Sequence, residues 1–199
     1  MTASMQPIIL ASSSLRRHEL LRSMGVFFEV IVPDINEGAS GDARETVIEM
    51  AQQKAWQVAQ QYPERYVMGS DTLVALEGAI LGKPRDEKDA CSMLAMLQGR
   101  WHEVHSGVCL YLPGEKMPDV RHCVTRVHFA ALTDDEIRDY VLSGEPQGKA
   151  GAYAMQGHAG MFVTEIVGSF SNVIGLPTAI VRDMLIANRY PLFLAKNRS

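Results

Sequence analysis

The 199-residue sequence has few cysteines and no recognisable export signal, and both absences narrow its class. Cys91, Cys109 and Cys123 form no Cys-x-x-Cys pair, and an odd count does not suit a disulfide framework, which favours a reducing compartment. The N-terminal segment has no charged region and only a very short apolar run, so it predicts neither a signal peptide nor a membrane span. We therefore expect a cytoplasmic protein that does not bind membranes.

Positive charge is not in excess either, since the net charge is −4 and the isoelectric point is about 5.9. This balance argues against a general nucleic-acid binder, but a nucleotide site needs only a few local cations. The sequence also lacks the Walker A, Gly-x-Gly-x-x-Gly, His-Glu-x-x-His and Gly-x-Ser-x-Gly motifs. A Ser-His-Asp mechanism is therefore unsupported, and the six histidines form no metal motif.

Hydrophobic residues make up 47% of the chain, which suits one globular domain spanning residues 1–199, or two packed lobes without a separable linker. Apolar periodicity and caps predict helices at 15–24, 43–61, 87–97, 134–144 and 177–188. Strands are predicted at 8–11, 26–32, 102–112, 121–132 and 161–167, with two further pieces around residues 69–72. The mixture predicts an α/β fold with a mixed, elongated sheet flanked by helices.

Two acidic residues stand where carboxylates are informative. Asp71 interrupts an apolar strand pattern just after Gly69, so we expect it at a strand break that faces a cleft, held there by a cation. A turn aspartate that bonds its own backbone is the alternative. Glu37 follows a predicted strand, at the end where α/β sheets bind ligands, although a solvated loop acid fits the pattern too.

Two lysines and a glutamine are further candidates. Lys54 lies on an apolar helical stripe, so its ammonium group must either reach solvent or meet an anion. Lys83 lies beside Pro84 in a short loop, which suits a phosphate, although surface lysines are common. Gln156 lies in a Gly/Ala-rich segment and offers both a donor and an acceptor, which suits the edge of a base. A flexible surface loop is the alternative for that segment.

The segment ILASSSLRRHELL places a cluster of hydroxyl groups and two arginines where a strand turns into a helix. Helix N-termini bind anions through backbone N–H groups, so Ser12, Ser14, Arg16 and Arg17 could form a phosphate site. The simpler interpretation is a helix cap with surface charges, and Ser13 or Ser14 is expected to cap. Adjacent helix positions point about 100° apart, so the two arginines should serve different contacts.

Taken together, these segments resemble the Maf family of nucleotide pyrophosphatases over residues 8–185. The matching segments occur in the order LASSSLRRHELL, INE, QKA, GSDTLV, GKP, KAGAYAMQG and IGLP. The resemblance implies a mixed α/β fold with a deep cleft between two lobes, similar to inosine triphosphate pyrophosphatases. It also implies hydrolysis of a nucleoside triphosphate to the monophosphate and pyrophosphate, a divalent cation (Mg²⁺ or Mn²⁺) and a homodimer.

Within the family, Arg16, Thr72 and Gln156 match the subgroup that cleaves dTTP and UTP. The 7-methyl-GTP subgroup has Trp, Gln and Glu at these positions. One departure is Leu15, where the family usually has Pro, and we expect only a small loss of turn rigidity from it. The resemblance thus implies a pyrimidine nucleotide as substrate.

The resemblance also implies roles for the candidate residues. Catalytic roles fall to Asp71, Glu37 and Lys83, and the metal would be held by Glu37 and Asp71. Substrate contacts fall to Ser12, Ser14, Arg16, Arg17, Lys54, Thr72 and Gln156. Asp71 would accept a proton from the water that attacks the α-phosphorus, and pyrophosphate would leave.

Two other functions stay open at this point. A nucleotide- or nucleic-acid-binding regulator of cell-division arrest would keep the cations but would not need both Glu37 and Asp71. A housecleaning enzyme would act mainly on modified pyrimidine nucleotides and so prevent their incorporation. The presence of both carboxylates favours an enzyme.

Overall fold

The computed structural model describes residues 6–35 and 41–192. Its strands are β1 (Ile8–Ala11), β2 (Phe28–Val30), β3 (Val67–Leu76), β4 (Ala79–Leu81), β5 (Trp101–Tyr111), β6 (Asp119–Phe129) and β7 (Val163–Val167). Its α-helices are α1 (Leu15–Ser23), α2 (Ala43–Ala59), α3 (Glu87–Leu97), α4 (Asp134–Leu142), α5 (Phe170–Ile174) and α6 (Thr178–Ala187), and short 3₁₀ helices span Ala150–Ala152 and His158–Phe162. None of these helices has the length and apolarity needed to cross a membrane.

The seven strands form one mixed sheet, in the order β2-β1-β3-β5-β6-β7, with β4 paired to β3. β1 runs parallel to both β2 and β3, whereas the pairs from β3 through β5 and β6 to β7 are antiparallel. This arrangement confirms the predicted α/β class and the mixed sheet.

The edge of β3 has a gap that matters for the site. β1 pairs with β3 as far as Ala11 opposite Gly69, and β4 pairs with β3 only from Val74 onward. Within the described ranges, neither strand covers residues 70–73 of β3, because the chain turns from β1 into α1 at this level. At this edge, the centre of β3 therefore has no neighbouring strand among the described residues, although the stretches on either side of it are paired.

Helix α2 lies unusually close to the sheet. Gly69 and Gly107 lie beneath it, and a Cβ atom there would lie 2.4 Å from the Ala51 carbonyl oxygen and 2.2 Å from the Val47 carbonyl oxygen, respectively. No side chain fits at such distances, so both positions need glycine. The close approach holds Lys54, on the buried face of α2, directly against the sheet.

Three apolar clusters stabilise the fold. One surrounds Phe129 and lies beneath α3 and α4, one packs α6 against β1 through Met184, and one fills the space below α2 around Ala55. The largest of these side chains are fully buried, and each contributes about 1.5–3 kcal/mol relative to an exposed position. The clusters hold in place the strand ends and helix ends that surround the gap in β3.

Two local predictions were wrong. β3 is one continuous strand rather than two pieces, because β5 pairs with it from Val67 to Ala75 and so stabilises the extended backbone through Gly69. The loop predicted after β7 contains α5, which starts where the Ser169 hydroxyl accepts a hydrogen bond from the Asn172 amide. The short strand β4 was not predicted either.

Candidate functional site

A cavity of about 750 Å³ opens beside the uncovered stretch of β3. Its walls come from the β1–α1 turn, β3, α2, the segment after β4, the segment before the first 3₁₀ helix, and the end of α5. The cationic side chains that line it are Arg16, Arg17, Lys54, Lys83 and Lys149. Among the described lining residues, Asp71 alone carries a carboxylate. The local charge is therefore strongly positive, in a protein whose net charge is negative.

Most of the site residues predicted from the sequence meet at this cavity. Its lining includes Ser12, Ser14, Arg16, Arg17, Lys54, Asp71, Thr72 and Lys83. Gln156 does not line it and lies in an exposed turn instead. Glu37 lies outside the described residues, so its position is not part of the site as described.

Asp71 lies in the middle of β3. The prediction that it lies at a strand break was therefore wrong. Its Oδ1 accepts a hydrogen bond of 2.6 Å from the Lys54 Nζ, and the two side chains are only 13% and 6% exposed. Lys54 is thus the cation expected beside Asp71, and Asp71 is an anion of the kind expected beside Lys54. A carboxylate held in this way at a cavity wall is oriented before any ligand binds.

The β1–α1 turn presents the N-terminus of α1 to the cavity. Ser14 occupies the N-cap position, but its side chain makes no capping bond, so the expectation of a serine side-chain cap at this position was wrong. The Ser12 hydroxyl instead accepts a hydrogen bond of 3.2 Å from the Ser14 amide. The first amide groups of a helix carry partial positive charge, and here they add to the positive field of the cavity.

Arg17 connects three parts of the cavity wall. Its guanidinium donates hydrogen bonds to the Gly175 carbonyl (2.9 Å), the Ser12 hydroxyl (3.2 Å) and the Thr72 hydroxyl (3.2 Å). The Thr72 hydroxyl also shares a hydrogen bond of 2.8 Å with the Ser106 hydroxyl. Arg17 therefore carries a positive charge to the cavity wall while holding the β1–α1 turn, β3 and the end of α5 together.

Arg16 points to a different part of the cavity, as its neighbouring position on the helix predicts. Burial lowers the pKa of its guanidinium, and the nearby Tyr140 phenol partly offsets that effect. Burial also lowers the pKa of Lys149, Arg16 lowers it further, and Glu145 acts in the opposite direction. Two cations that repel each other in a partly buried place favour an anionic ligand between them.

Lys149 and Tyr153 were not among the predicted site residues, although both lie in the same Gly/Ala-rich segment as Gln156. The Tyr153 hydroxyl lies 2.9 Å from the Nε2 of the buried His102, and burial raises the pKa of Tyr153. Nothing in the sequence around His102 indicates this contact, because the two residues are distant in the chain. Tyr153 lines the cavity, and its hydroxyl group is held by a buried partner.

A divalent cation at the cavity would need oxygen donors from the ligand as well as from the described residues. In the described part of the chain, no group of three or more His, Cys, Asp or Glu side chains is placed to hold a metal ion. Asp71 supplies a hard oxygen donor, and Mg²⁺ usually needs only one or two carboxylates beside phosphate oxygens and water. The carboxylate of Asp71 could thus share a metal with the phosphate oxygens of a bound ligand.

The sequence also matches known proteins over most of its length. The model of the family described as "Maf-like protein" matches residues 7–188. The chain is 48% identical over 181 residues to the dTTP/UTP pyrophosphatase of Geotalea uraniireducens, which covers 89% of this chain and 93% of that protein. It is 44% identical to the proteins of the same name from Pelotomaculum thermopropionicum (91% of this chain, 96% of that protein) and Symbiobacterium thermophilum (95% and 97%).

Proposed function

The chain belongs to the Maf family, and from this premise we propose that it hydrolyses dTTP and UTP to the nucleoside monophosphate and pyrophosphate. The observation that carries the proposal is the charge of the cavity, where five cationic side chains and a helix N-terminus surround one described carboxylate. A triphosphate is the kind of ligand that offsets such a charge, and the carboxylate provides a group that can take part in hydrolysis.

The proposed reaction is an attack of water on the α-phosphorus. Asp71 accepts a proton from this water, and Lys54 keeps the carboxylate in place through their hydrogen bond of 2.6 Å. Positioned acid–base groups of this kind contribute about 10²- to 10⁴-fold to the rate. Because the pair is largely buried, turning the carboxylate away from the cavity would break a hydrogen bond between two charged groups inside the protein, which is costly.

The departing pyrophosphate needs positive charge. Lys83, Arg17 and the N-terminus of α1 line the cavity and would stabilise the negative charge that develops on the leaving oxygen. We propose that Asp71 and Glu37 also hold Mg²⁺ or Mn²⁺, which when bound neutralises phosphate charge and polarises the phosphoryl group.

The nucleobase of the substrate would lie at the mouth of the cavity, near Arg16. Arg16 belongs to the cavity wall, whereas Gln156 lies in an exposed turn outside the lining, so a nucleotide that reaches both must extend outward. Gln156 can both donate to and accept from the edge of a pyrimidine. The Thr72 hydroxyl is hydrogen-bonded to Arg17 and Ser106, so we propose that Thr72 contacts the substrate as part of this hydrogen-bonded group.

Replacement of Asp71 by Asn tests this function. Asp71→Asn keeps the shape and can still accept a hydrogen bond from Lys54, but it removes the proton acceptor. We expect kcat for pyrophosphate release from dTTP to fall by about 10²-fold or more. Asp119→Asn is the matched control, because Asp119 is also an ion-paired strand aspartate but lies outside the cavity lining. A kcat for Asp71→Asn close to that of the wild type would contradict the role given to Asp71.

Several narrower expectations stay predictions. The homodimer, the cytoplasmic location, the two lobes, and the activity on modified pyrimidine nucleotides follow from the sequence and its resemblance. The role in division arrest has the same standing. Each concerns the setting of the reaction and leaves the chemistry at the cavity unchanged.

A further inference from the structure

The turn that carries Gln156 is closed by a hydrogen bond of 3.0 Å from the Gly157 amide to the Ala154 carbonyl. Gln156 occupies the third position of this four-residue turn, so its side chain can be aimed only as well as the turn itself is held. An exposed turn of this kind would usually be mobile, yet both of its ends are bound to a pair of side chains, one in the last turn of α4 and one just after that helix.

That pair is Tyr140 and Glu145, joined by a hydrogen bond of 2.9 Å from the tyrosine hydroxyl to Oε1. Before the turn, the Ala154 amide donates to the Tyr140 hydroxyl at 3.3 Å. After the turn, the His158 amide donates to Glu145 Oε2 at 2.9 Å and the Ala159 amide donates to Oε1 at 3.3 Å. The two ends of the turn are thus fixed relative to each other by side chains distant in sequence.

The fit around the carboxylate is tight. A Cβ atom at Gly157 would lie 2.3–2.5 Å from the Glu145 carboxyl group, so a side chain at this position would displace the carboxylate from its place against the turn. The Glu145 side chain is 15% exposed and also contacts the His158 ring at 3.0 Å. Burial raises the pKa of Glu145, but the hydrogen bonds from His158, Ala159 and Tyr140 outweigh burial and lower it overall. A charged acceptor makes these bonds strong.

The same pair reaches the cavity. Tyr140 lies close enough to Arg16 to affect its pKa, and Glu145 acts on Lys149 in the same way. Both cations line the cavity, whereas the Gln156 turn lies outside its lining. Tyr140 and Glu145 therefore connect the Gln156 turn with two cationic side chains of the cavity wall.

We propose that Glu145 is a positioning residue for nucleobase selection: with Tyr140 it fixes the Gln156 turn so that the glutamine amide meets the pyrimidine. The inference rests on the proposed function, because it takes Gln156 as the residue that reads the base. It differs from a general structural role in one respect. Glu145 acts through Gln156, so its effect disappears when the Gln156 side chain is absent.

The test is a binding measurement with two probes in the presence of Mg²⁺. α,β-Imido-dTTP resists cleavage and carries the base, whereas inorganic triphosphate carries no base. In Glu145→Gln, the amide group replaces an acceptor by a donor, and we expect the Kd for the analogue to rise about tenfold. The Kd for inorganic triphosphate should change less than about twofold.

Matched variants separate positioning from damage to the fold. Asp135→Asn removes a carboxylate from the exposed surface of α4 and should leave both Kd values unchanged. Tyr140→Phe removes the hydroxyl that joins the two ends of the turn. It should raise the Kd for the analogue, as Glu145→Gln does. In a Gln156→Ala background, Glu145→Gln should change the Kd for the analogue less than about twofold.

The outcomes are distinct. Equal losses for both probes, or the same tenfold loss in the Gln156→Ala background, would overturn the positioning role. A wild-type protein that binds the analogue no better than inorganic triphosphate would overturn it as well. Failure of the proposed function looks different, because it is the absence of pyrophosphate release from dTTP by a wild-type protein whose binding preferences are intact.

Discussion

Lys54 and Asp71 form a largely buried ion pair. Taking two charges out of water is unfavourable, so such a pair is not in itself evidence of stabilisation. Its position at a cavity wall gives it another use, because the carboxylate meets the cavity in a fixed orientation. The oriented carboxylate is what the proposed hydrolysis requires.

His102 gives a residue-scale prediction about pH. Burial lowers its pKa from 6.5 to about 4, since the ring is packed against Phe129 and Tyr153. The unfolded chain therefore takes up a proton first as the pH falls, and the contribution to stability present above pH 6.5 is lost between pH 6.5 and 4. We expect His102 to account for a loss of about 2 kcal/mol in the free energy of unfolding between pH 7 and 5.

Urea unfolding of wild type and His102→Gln at both pH values checks this expectation. Gln can still hydrogen-bond the Tyr153 hydroxyl but does not titrate, so its free energy of unfolding should depend less steeply on pH. Identical pH dependence in the two proteins would show that His102 is not the group responsible.

At the scale of elements, the position of α2 depends on two glycines of the sheet. In Gly107→Ala, the new Cβ would lie 2.2 Å from the Val47 carbonyl oxygen, so the helix must shift. We expect a loss of about 1–3 kcal/mol in the free energy of unfolding, because the core cannot take the extra volume. Activity should also fall, since α2 carries Lys54 to Asp71.

Gly82→Ala is the control for this change, because a Cβ there meets no atom within 4 Å and the backbone does not need glycine. Denaturant unfolding of the two variants compares them directly. Similar stabilities of Gly107→Ala and Gly82→Ala would mean that α2 tolerates displacement, and the close approach would not be what sets the geometry of the site.

Most of the helices and strands could be predicted from the sequence, and the exceptions have physical reasons. The capping box at Thr133 and the apolar periodicity of α2 are local signals, so both helices were predicted near their true starts. The continuity of β3 through Asp71 depends on its pairing with β5, which no local pattern reveals. α5 is only one turn and a half long, and its Ser169 cap stands among other loop-forming residues.

The candidate site shows the same division. Motif order brought together Ser12, Arg17, Asp71 and Lys83, and the structure lines one cavity with them. The sequence could not predict that Lys54 is the partner of Asp71, because the contact depends on how closely α2 meets the sheet. Contacts of this kind arise from tertiary packing, and so does the network that holds the Gln156 turn.

At the scale of the whole molecule, the distribution of charge explains more than the total. The chain carries a net charge of −4, yet five cationic side chains line one cavity beside the β1–α1 turn and β3. A small anion can enter the positive field of the cavity despite the negative net charge of the chain. This distribution of charge suits a nucleotide, and we predict that the protein does not bind nucleic acids stably.

The family and the charge of the cavity indicate that this protein hydrolyses pyrimidine nucleoside triphosphates at the cavity. The most direct measurement is pyrophosphate release by the wild-type protein from dTTP, UTP and the other common nucleoside triphosphates, each with Mg²⁺, with Mn²⁺ and with no added metal. We predict metal-dependent release, with kcat/KM for dTTP and UTP at least about tenfold above the purine nucleotides. Binding of dTTP without pyrophosphate release under any of these conditions would contradict the claim.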